Sequence, residues 1–398
     1  MNPQLEKLYH LAGSSTRRII GLMSGTSLDG LDIALCRITG SGLTSELSVE
    51  QFATVPYSED FRDEIRSVFA RKEIDFQQLC LLNPYIGIRH GHMVLDCLQT
   101  WNIPAQDIDL IASHGQTVYH APKKQHGLTR FPNGTLQIGD GDHIAVTTGI
   151  ITISDFRQKH VAAGGEGAPV AVYGDYLLFS KKGENRILLN MGGIANFTYL
   201  SGSQDAREVF TTDTGPGNIL LDAFTRLYFH KPFDENGTLA AAGTPHESLL
   251  HALKDHAFFT SDFPKTTGPE VFNIEYVRRA QQQSSTETIE PRDLLATLTR
   301  FSADTIADAI KKTIHLDQYH TLYVSGGGAH NRALMGEIQR QVPDFKILPM
   351  QELGVAGDAK EAVLFALLAN ETVAGGAVDF GGRQGVPSIT MGKISFPG

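Results

Sequence analysis

Several features are absent from this 398-residue sequence, and each absence excludes a class of protein. No apolar run reaches the roughly 18 residues that a membrane-spanning helix needs. Charged residues interrupt the first turns of the chain, so we expect no secretory signal there. The three cysteines, Cys36, Cys80 and Cys97, cannot all pair and lack metal-ligand spacing. This pattern predicts that the protein is located in the reducing cytoplasm.

Positive charge is also scarce. The formal net charge is -10, and the chain has no run of lysine and arginine, which argues against a nucleic-acid-binding protein. The composition, with 41% hydrophobic and 20% charged residues, is that of a folded globular protein rather than a disordered one. The length suits two domains.

The glycine-rich segment at residues 20–35, IGLMSGTSLDGLDIAL, contains no lysine. A Walker phosphate-binding loop needs a lysine beside its last glycine and a helix directly after it. Here the residues that follow Gly30 are mostly apolar and rich in strand formers, as are residues 19–23 before the glycines. The segment therefore predicts a hairpin of two strands with glycines at its tip.

Strand-like and helix-like segments alternate along the chain, which predicts an α/β protein. Apolar residues at helical spacing predict helices at 58–70, 77–100 and 292–312. Buried strands are predicted at 109–117, which ends in a polar loop, and at 149–157. Polar stretches predict surface loops at 120–137 and 281–293.

The two halves of the chain contain a loose internal repeat. Residues 17–38 consist of arginine, an apolar strand, a glycine-rich turn and a second strand, and residues 185–200 (NRILLNMGGIANFTYL) follow the same order. Such a duplication predicts two related halves, each with a glycine hairpin. If the halves face each other, N–H groups from both hairpins can bind one polyphosphate, because a nest of N–H groups needs no lysine. Two ordinary hairpins with glycine turns are the alternative.

A third glycine-rich turn, at residues 322–335 (LYVSGGGAHNRALM), connects a predicted strand to a helix. Gly326, Gly327 and Gly328 would let the backbone approach an adenine or ribose closely, and Asn331 would either cap the helix or contact the base. The spacing resembles a dinucleotide-binding fingerprint only in part, because asparagine replaces the last glycine.

Two acidic residues precede or begin predicted helices. Asp213 precedes a Gly-Pro-Gly turn in residues 211–224 (TTDTGPGNILLDAF), where an aspartate is either a turn residue or a functional carboxylate. Glu361 lies near the start of a helix predicted at 357–370, where an acidic residue also stabilises the helix electrostatically. Each residue thus has a functional and a structural interpretation.

The motifs of the chain, taken in order, resemble those of the anhydro-N-acetylmuramic acid kinase family. They are GLMSGTSLDG, SHGQT, ISDFR with VAAGGEGAP, LLNMGGIANFT, DTGPGN, SGGGAHN and GDAKEA, and they cover nearly the whole chain. That family belongs to the sugar kinase, heat-shock ATPase and actin superfamily. The resemblance implies an α/β, two-domain actin-like ATPase fold, a duplicated ribonuclease H-like fold with nucleotide in the interdomain cleft.

The resemblance also implies a division of the chain into domains. We expect residues 1–165 plus 376–398 to form the first domain, with the first phosphate hairpin. We expect residues 166–375 to form the second, with the second hairpin and the adenosine-binding motif. Residues before Arg18 and the segment 120–137 depart from the family pattern, and the latter is expected to affect substrate access.

The reaction that the resemblance implies is unusual for a kinase. ATP phosphorylates O6 of 1,6-anhydro-N-acetylmuramic acid while water opens the anhydro bridge, giving N-acetylmuramic acid 6-phosphate and ADP for reuse of cell-wall sugar. O6 in the bridge carries no proton, so a base must act on water at C1 rather than on a sugar hydroxyl. The family's base matches Asp213, and Asp155 is the rival carboxylate.

The remaining site residues follow from the resemblance. The expected cofactors are ATP and Mg²⁺, with Asp29 and Glu361 near the metal through water. His114, Gln116, Asp155 and Arg157 are the candidates for sugar contacts, Arg157 for the lactyl carboxylate through a forked pair of N–H bonds. The expected ATP-binding residues are Gly25, Thr26, Ser27, Leu28, Asp29, Gly30, Leu31, Asp32, Gly192, Gly193, Gly326, Gly327, Gly328 and Asn331.

Two rival functions remain open from the sequence. A related kinase acts on levoglucosan, which lacks the lactyl and acetamido groups, and a carboxylate-binding arginine would decide between the two substrates. A nucleotide-dependent switch of the actin or chaperone kind would use the same hairpins without a small substrate. The resemblance implies a homodimer. From the cysteines we expect a cytoplasmic protein, and we expect neither nucleic acid nor membrane as a partner.

Overall fold

The computed structural model describes residues 2–168, 170–314, 318–354, 359–383 and 385–398. The chain divides into two compact units, the first made of residues 1–179 and 354–398 and the second of residues 180–353. Within the described ranges, no helix has the length and apolar character to cross a bilayer.

Helices and strands alternate in both units, as the sequence predicts. The first unit begins with α1 (Pro3–Gly13), β1 (Thr16–Ser24), β2 (Gly30–Thr39), β3 (Glu46–Pro56), α2 (Glu59–Val68), α3 (Phe76–Thr100), β4 (Leu110–Ala121), α4 (Lys123–His126), β5 (Gly134–Ile138), α5 (Gly141–Thr148), β6 (Thr152–Ser154), α6 (Phe156–Ala162) and α7 (Ala171–Phe179).

The second unit follows, and the chain then returns to the first. The second unit contains β7 (Asn185–Met191), β8 (Ile194–Leu200), β9 (Phe210–Pro216), α8 (Ile219–Phe229), α9 (Thr238–Ala241), α10 (Glu247–Lys254), α11 (Ala257–Thr260), α12 (Ile274–Ser284), α13 (Pro291–Thr313), β10 (His320–Ser325), α14 (Arg332–Gln341) and β11 (Lys346–Pro349). The first unit ends with α15 (Lys360–Val373) and β12 (Lys393–Ser395).

The first sheet has the strand order β12-β6-β4-β1-β2-β3, with β5 added at β4. β1, β2 and β3 form an antiparallel meander, while β4 and β6 run parallel to β1. Because side chains alternate between the faces of a strand, Ile20 and Leu22 of β1 enter a core shared with α2, α3 and α5. The opposite face of β1 packs against α15.

α15 lies unusually close to β1. A Cβ atom at Gly21 would lie 1.8 Å from the carbonyl oxygen of Ala362, so only glycine fits at this crossing. This packing explains why α15 belongs to the first unit, although the sequence-based boundary at 375/376 assigns it to the second domain. The first unit also extends to residue 179 rather than 165.

The second sheet repeats the order of the first. Its strands lie in the order β11-β10-β7-β8-β9, with β7, β8 and β9 antiparallel and β10 and β11 parallel to β7. The core of this unit joins the sheet to α13 and α14, and Leu189, Ile306 and Ile338 are each almost fully buried in it. The predicted internal duplication and the α/β class are therefore confirmed.

Some predicted segment boundaries are wrong. The predicted loop 120–137 contains α4 and most of β5, because β4 continues to Ala121 and its outer half pairs with β5. The predicted loop 281–293 shrinks to residues 285–290, because α12 extends to Ser284 and proline begins α13. The strand predicted at 149–157 is short, since α6 begins at Phe156.

Candidate active site

The first glycine hairpin joins β1 to β2 through residues 25–29, which confirms the predicted hairpin. Thr26, Ser27 and Asp29 lie in this turn, and Thr26 and Ser27 are exposed. Leu28 instead is buried and has φ +58°, a conformation that residues other than glycine rarely adopt. Its side chain packs in the core of the first unit, which holds the strained turn in place.

Among the residues expected to bind ATP, Leu28, Gly30 and Leu31 are buried. Leu28 and Leu31 are core residues with at most 3% exposure. Gly30 is buried where β2 meets β3, and a Cβ atom there would lie 2.5 Å from the carbonyl oxygen of Val55. Their contribution to a site is therefore confined to backbone atoms.

A hydrogen bond stabilises the ionised form of Asp29 at the tip of this hairpin. The Ser27 hydroxyl donates to Asp29 Oδ1 at 2.7 Å. This hydrogen bond is the largest cause that lowers the pKa of Asp29 below its ordinary value, so the carboxyl group is ionised at neutral pH. A carboxylate of this kind at a hairpin tip is suited to a hard cation or its bound water.

Gln116 of β4 supports the hairpin from behind. It lies opposite Ser24 in the parallel pairing of β1 and β4, and it has no exposed surface. Its Nε2 donates to the carbonyl oxygens of Gly25 at 3.3 Å and Thr117 at 3.1 Å. The sequence predicts a sugar contact for Gln116. In the structure its amide is fully buried and supports the hairpin.

His114 and Arg157 form a fixed pair. Arg157 Nε donates to His114 Nε2 at 2.7 Å, and His114 Nδ1 lies 2.8 Å from the carbonyl oxygen of Gly115. Because a guanidinium can only donate and a carbonyl can only accept, His114 is neutral with its proton on Nδ1. Burial, and then the charge of Arg157, lower the pKa of His114 to about 3. His114 therefore orients Arg157 and stays uncharged at neutral pH.

Arg157 has donors left for a ligand. Its Nη1 donates to the carbonyl oxygen of Gly167 at 2.7 Å, and its Nη2 donates to no group among the described residues. Glu361, the second residue of α15, lies within electrostatic reach of Arg157. Desolvation raises the pKa of Glu361, Arg157 opposes this shift, and Asp32 adds to it. A cation and two carboxylates therefore influence one another in the first unit.

Asp155 is paired with a cation that no sequence motif identifies. It precedes α6 with φ +57°, and its Oδ2 lies 2.7 Å from Nζ of Lys393 in β12. Asp155, Lys393 and His114 all line a cavity of about 570 Å³ in the first unit. Two of the four predicted sugar residues thus share one cavity, and Arg157 is bonded to one of them.

The second hairpin is held mainly by backbone groups. The carbonyl oxygen of Gly192 accepts from the backbone N–H of Asn218 at 2.8 Å and from its side-chain amide at 3.1 Å. The carbonyl oxygen of Gly193 accepts from the N–H groups of Gly217 and Ile219 at 2.8 and 3.1 Å. Because a trans peptide places its C=O and N–H on opposite sides, the N–H of Gly193 faces away from this support. The turn is thus suited to an anion.

Asp213 lies on β9 in the second unit and is partly exposed. Its backbone N–H donates to the carbonyl oxygen of Lys265 at 3.0 Å, and its Oδ2 accepts from the N–H of Thr267 at 2.9 Å. Residues 265–267 therefore fix the orientation of the carboxylate. The sequence gives no sign of this support, because the segment is distant in the chain and has no motif.

The third glycine-rich turn follows β10, as predicted. Gly326 and Gly327 are exposed, and Gly326 has φ +79°, where a Cβ atom would also lie 2.7 Å from the carbonyl group of Met191. Gly328 is buried against Met191. Asn331 is buried and caps α14, because its Oδ1 accepts from the N–H of Leu334 at 3.0 Å. Of the two predicted roles of Asn331, the structure shows the helix cap.

The quoted motif GDAKEA is only partly within the described chain. Residues 357 and 358 lie outside the described residues. Its Glu361 lies in the first turn of α15, as the sequence predicts.

Two sheets with the same strand order, each with a glycine hairpin between its first two strands, give the chain the duplicated α/β fold of the actin-like class. Sequence relatives identify the family within this class. A family model described as Anhydro-N-acetylmuramic acid kinase matches residues 17–383. The chain therefore belongs to the anhydro-N-acetylmuramic acid kinase family.

Individual relatives agree with the family match. The anhydro-N-acetylmuramic acid kinase of Pseudoalteromonas atlantica is 57% identical over 401 residues, with 100% of each chain covered. That of Pseudoalteromonas translucida is 53% identical over 399 residues, again with 100% of each chain covered. Among solved structures, component A of the Acidaminococcus fermentans (R)-2-hydroxyglutaryl-CoA dehydratase has a TM-score of 0.41 and 12% identity, covering 90% of this chain and 99% of that one.

Proposed function

We propose that this kinase acts on 1,6-anhydro-N-acetylmuramic acid, opening the anhydro bridge with water and transferring the γ-phosphoryl group of ATP to O6. The products are N-acetylmuramic acid 6-phosphate and ADP, which places the enzyme in the reuse of cell-wall sugar. The observation that carries the proposal is family membership over nearly the whole chain. The orientation of Asp213 supports it, since this reaction needs a carboxylate with a fixed direction.

The chemistry assigns a particular task to the base. O6 of the bridge has no proton, so cleavage of the C1–O6 bond itself produces the oxygen that accepts the phosphoryl group. The proton that must be removed belongs to the water that attacks C1. Asp213 takes this proton, and the N–H of Thr267 keeps the other side of its carboxylate occupied.

Asp155 is the weaker candidate for the base. Its Oδ2 is 2.7 Å from the ammonium group of Lys393. This ion pair holds the carboxylate against Lys393 in the first unit. Asp155 is better suited to hold Lys393 at the edge of the cavity in the first unit.

We assign ATP-binding residues in each unit separately. In the first, we assign the backbone of Gly25 and Thr26 and the side chains of Thr26 and Ser27 to the phosphates. In the second, we assign Gly192 and Gly193, together with the turn Gly326–Gly328. The supporting observation is that the carbonyl oxygens of Gly25 and Gly192 are bonded to the protein, so the N–H groups of Thr26 and Gly193, across the same peptides, point the opposite way and suit an anion.

The residues present fit a magnesium ion that accompanies ATP. Within the described residues, no three His, Cys, Asp or Glu side chains form a cluster able to hold a metal. Mg²⁺ keeps much of its water and is bound largely by substrate phosphates, so one or two carboxylates suffice at its site. Asp29 and Glu361 would hold it through water, with Asp32 near Glu361. The ion supplies neutralisation of phosphate charge during phosphoryl transfer.

Arg157 is proposed to distinguish the muramic acid substrate from levoglucosan. Its Nη2 group has no partner among the described residues, while His114 and Gly167 fix the rest of the guanidinium. A planar guanidinium held in this way suits the lactyl carboxylate, which levoglucosan lacks. His114 then contributes to sugar binding by orienting Arg157 and not by direct proton transfer.

Two further properties of the family are included in the proposal. The first is a cytoplasmic location, consistent with the three free thiols of Cys36, Cys80 and Cys97. The second is a homodimer, which sedimentation equilibrium would test directly.

The proposal is tested by measuring ADP release with 1,6-anhydro-N-acetylmuramic acid, with levoglucosan and without sugar. We expect rapid release only with the muramic acid substrate, and Arg157→Met should raise the KM for that sugar. Equal rates with both sugars would reject Arg157 as the carboxylate ligand. ADP release that is slow and independent of either sugar would instead indicate a nucleotide switch.

A further inference from the structure

Four buried polar side chains behind the first glycine hairpin form a chain of hydrogen bonds, called the buried chain below. Ser24, Tyr57, His90 and Gln116 are each at most 3% exposed. The Tyr57 hydroxyl lies 2.8 Å from Ser24 Oγ and 2.8 Å from His90 Nε2, and Ser24 Oγ bonds to Gln116 Oε1. These hydrogen bonds connect the middle of α3 to the C-terminal end of β1. Tyr57 and His90 belong to none of the motifs that point to the site.

The direction of every hydrogen bond in this chain follows from its last member. The Gln116 nitrogen is the atom that faces the two carbonyl oxygens of Gly25 and Thr117, since only the amide N–H groups can donate to them. Gln116 Oε1 therefore faces Ser24, and the Ser24 hydroxyl must donate to it. Ser24 then has no proton left for Tyr57, so Tyr57 donates to Ser24.

The same reasoning fixes His90. Because the Tyr57 proton is used on Ser24, the Tyr57 oxygen must accept from His90, whose proton is thus on Nε2. His90 Nδ1 is buried and has no hydrogen-bond partner among the described residues. An unpaired acceptor is tolerated better inside a protein than an unpaired N–H, which agrees with this tautomer. Burial also lowers the pKa of His90 to about 3, so the ring is neutral.

Each hydrogen bond is therefore donated in the same direction, from His90 to Tyr57, Ser24 and Gln116 in turn. The last one is donated by Gln116 to the carbonyl oxygen of Gly25. Because the peptide unit is planar and trans, drawing the Gly25 carbonyl toward Gln116 turns the Thr26 N–H the opposite way. Thr26 is exposed, so the turn that carries this N–H is open to a ligand. The buried chain therefore sets the orientation of a donor suited to phosphate.

We propose that Tyr57 and His90 are positioning residues for ATP: they act through Ser24 and Gln116 to hold the Gly25–Thr26 peptide in the orientation that binds phosphate. This inference rests on the proposed role of the first hairpin in ATP binding. Neither residue touches the nucleotide. The competing explanation is that the chain only satisfies polar groups in the core and stabilises the first unit.

The test compares two tyrosine-to-phenylalanine variants of the full-length enzyme. Tyr57→Phe removes the central hydroxyl of the chain. Tyr173→Phe is the matched control, since Tyr173 is also buried in the first unit and its hydroxyl donates to a single carbonyl oxygen, that of Pro387. Both variants lose one buried hydroxyl and are expected to be less stable, Tyr57→Phe the more so because its hydroxyl makes two hydrogen bonds.

ATP binding should separate the two variants. We expect Tyr57→Phe to weaken MgATP binding about fivefold to thirtyfold, as measured by titration calorimetry without sugar and by the KM for ATP. The KM for the sugar should change far less. Tyr173→Phe should leave both values near those of the unmodified enzyme. Equal MgATP affinity in the two variants, or equal changes in both KM values for Tyr57→Phe, would overturn the inference.

A measurement on the unmodified enzyme covers the case in which Tyr57→Phe does not fold. Nitrogen-15 NMR of the histidine rings reports which nitrogen carries the proton. The inference requires His90 to be the Nε2–H tautomer, with the proton protected from exchange. An Nδ1–H tautomer of His90 would reverse the direction of the chain and contradict it.

The outcomes also separate this inference from the proposed activity. If the enzyme binds MgATP but phosphorylates no anhydro sugar, the proposed function fails while the two variants still test the positioning role. If the enzyme phosphorylates the sugar and Tyr57→Phe binds MgATP normally, only the positioning role fails.

Discussion

In both glycine hairpins a side-chain amide donates to a glycine carbonyl oxygen, but the two amides come from different parts of the fold. In the first, the carbonyl oxygen of Gly25 accepts from the side-chain amide of Gln116 at 3.3 Å. In the second, the carbonyl oxygen of Gly192 accepts from the side-chain amide of Asn218 at 3.1 Å. Gln116 lies on the parallel strand beside the hairpin, whereas Asn218 directly precedes the helix after the third strand. The positions are not equivalent in the two sheets.

The two hairpins differ in the groups that support them besides these amides. Gln116 depends on a chain of buried side chains that reaches α3, so distant substitutions can alter the first hairpin. The second hairpin is also held by backbone N–H groups of Gly217, Asn218 and Ile219. Apart from proline, no substitution removes a backbone N–H. We therefore expect the first hairpin to be sensitive to side-chain chemistry and the second to steric change.

The largest effect is expected for the carboxylates that accompany the hairpins. Asp213→Asn should lower turnover about a hundredfold to ten-thousandfold, because the amide cannot accept a proton from water. MgATP affinity should be retained, since the size of the side chain is unchanged. Asp155→Asn removes one partner of an ion pair with Lys393 and should lower turnover about fivefold at most. Steady-state kinetics of both variants checks this, and a larger loss for Asp155→Asn would transfer the role of base.

Steric sensitivity is tested by adding one methyl group to each hairpin region. A Cβ atom at Gly217 would lie 2.4 Å from the carbonyl oxygen of Gly192, whereas at Gly25 the nearest atom is Ser27 Oγ at 3.5 Å. Gly217→Ala should therefore lower the free energy of unfolding by about 1–3 kcal/mol, and Gly25→Ala should leave it nearly unchanged. Urea unfolding measures both. Gly192→Ala is the control within the second hairpin, since its Cβ has space as well.

Replacing each amide with a carboxylate compares the two supports directly. Gln116→Glu places an acceptor against two carbonyl oxygens at a site with no solvent exposure. We expect MgATP affinity to fall about tenfold or more, because one lost hydrogen bond and the buried charge both oppose the hairpin conformation. Asn218→Asp should have a smaller effect, since the backbone N–H groups remain. Titration calorimetry of MgATP measures the order, and a larger loss for Asn218→Asp would contradict the comparison.

The smallest effect per residue is expected for the dependence of stability on pH. Burial is the main cause that lowers the pKa of His90 and His114 to about 3 and of His160 to about 4, all in the first unit. The unfolded chain binds protons near pH 6.5 and the folded chain does not, so stability falls as the pH drops from about 7 toward 4. Each histidine contributes about 1–2 kcal/mol between pH 7 and 5.

Fluorescence offers a probe for this loss in the first unit. The single tryptophan of the sequence, Trp101, follows α3 and packs against the core of that unit. Urea unfolding followed at Trp101 should therefore show lower stability at pH 5 than at pH 7. His90→Gln, which carries no titrating ring, should show a weaker dependence on pH, and an unchanged dependence would contradict the assignment for His90.

The sequence was sufficient to predict both hairpins. Glycines between two runs of strand formers predict a turn whatever surrounds it, and β1, β2, β7 and β8 formed as expected. The duplication was visible for the same reason. Asp213 was identified through its motif, but the support from residues 265–267 depends on packing between segments that are distant in the chain.

The sequence was not sufficient to assign the residues between the strands. Gly115 has φ +72° within β4, and the register with β1 shifts there, so that Gln116 lies opposite Ser24. This shift places Gln116 in the core, where its motif alone suggested a ligand contact. Tyr57 and His90 lie outside the motifs, and only the three-dimensional contacts connect them with the hairpin.

The most direct test of the account is the configuration of the product at C1. If Asp213 activates water, the water must approach C1 from the face opposite O6 while O6 accepts the phosphoryl group. A single displacement inverts the anomeric centre, as in inverting glycosidases. The anhydro bridge is a β linkage, so proton NMR in the first minutes, before mutarotation, should show the α anomer of the 6-phosphate. An early excess of the β anomer would indicate a covalent sugar–enzyme intermediate and contradict the role of Asp213 as a base acting on water.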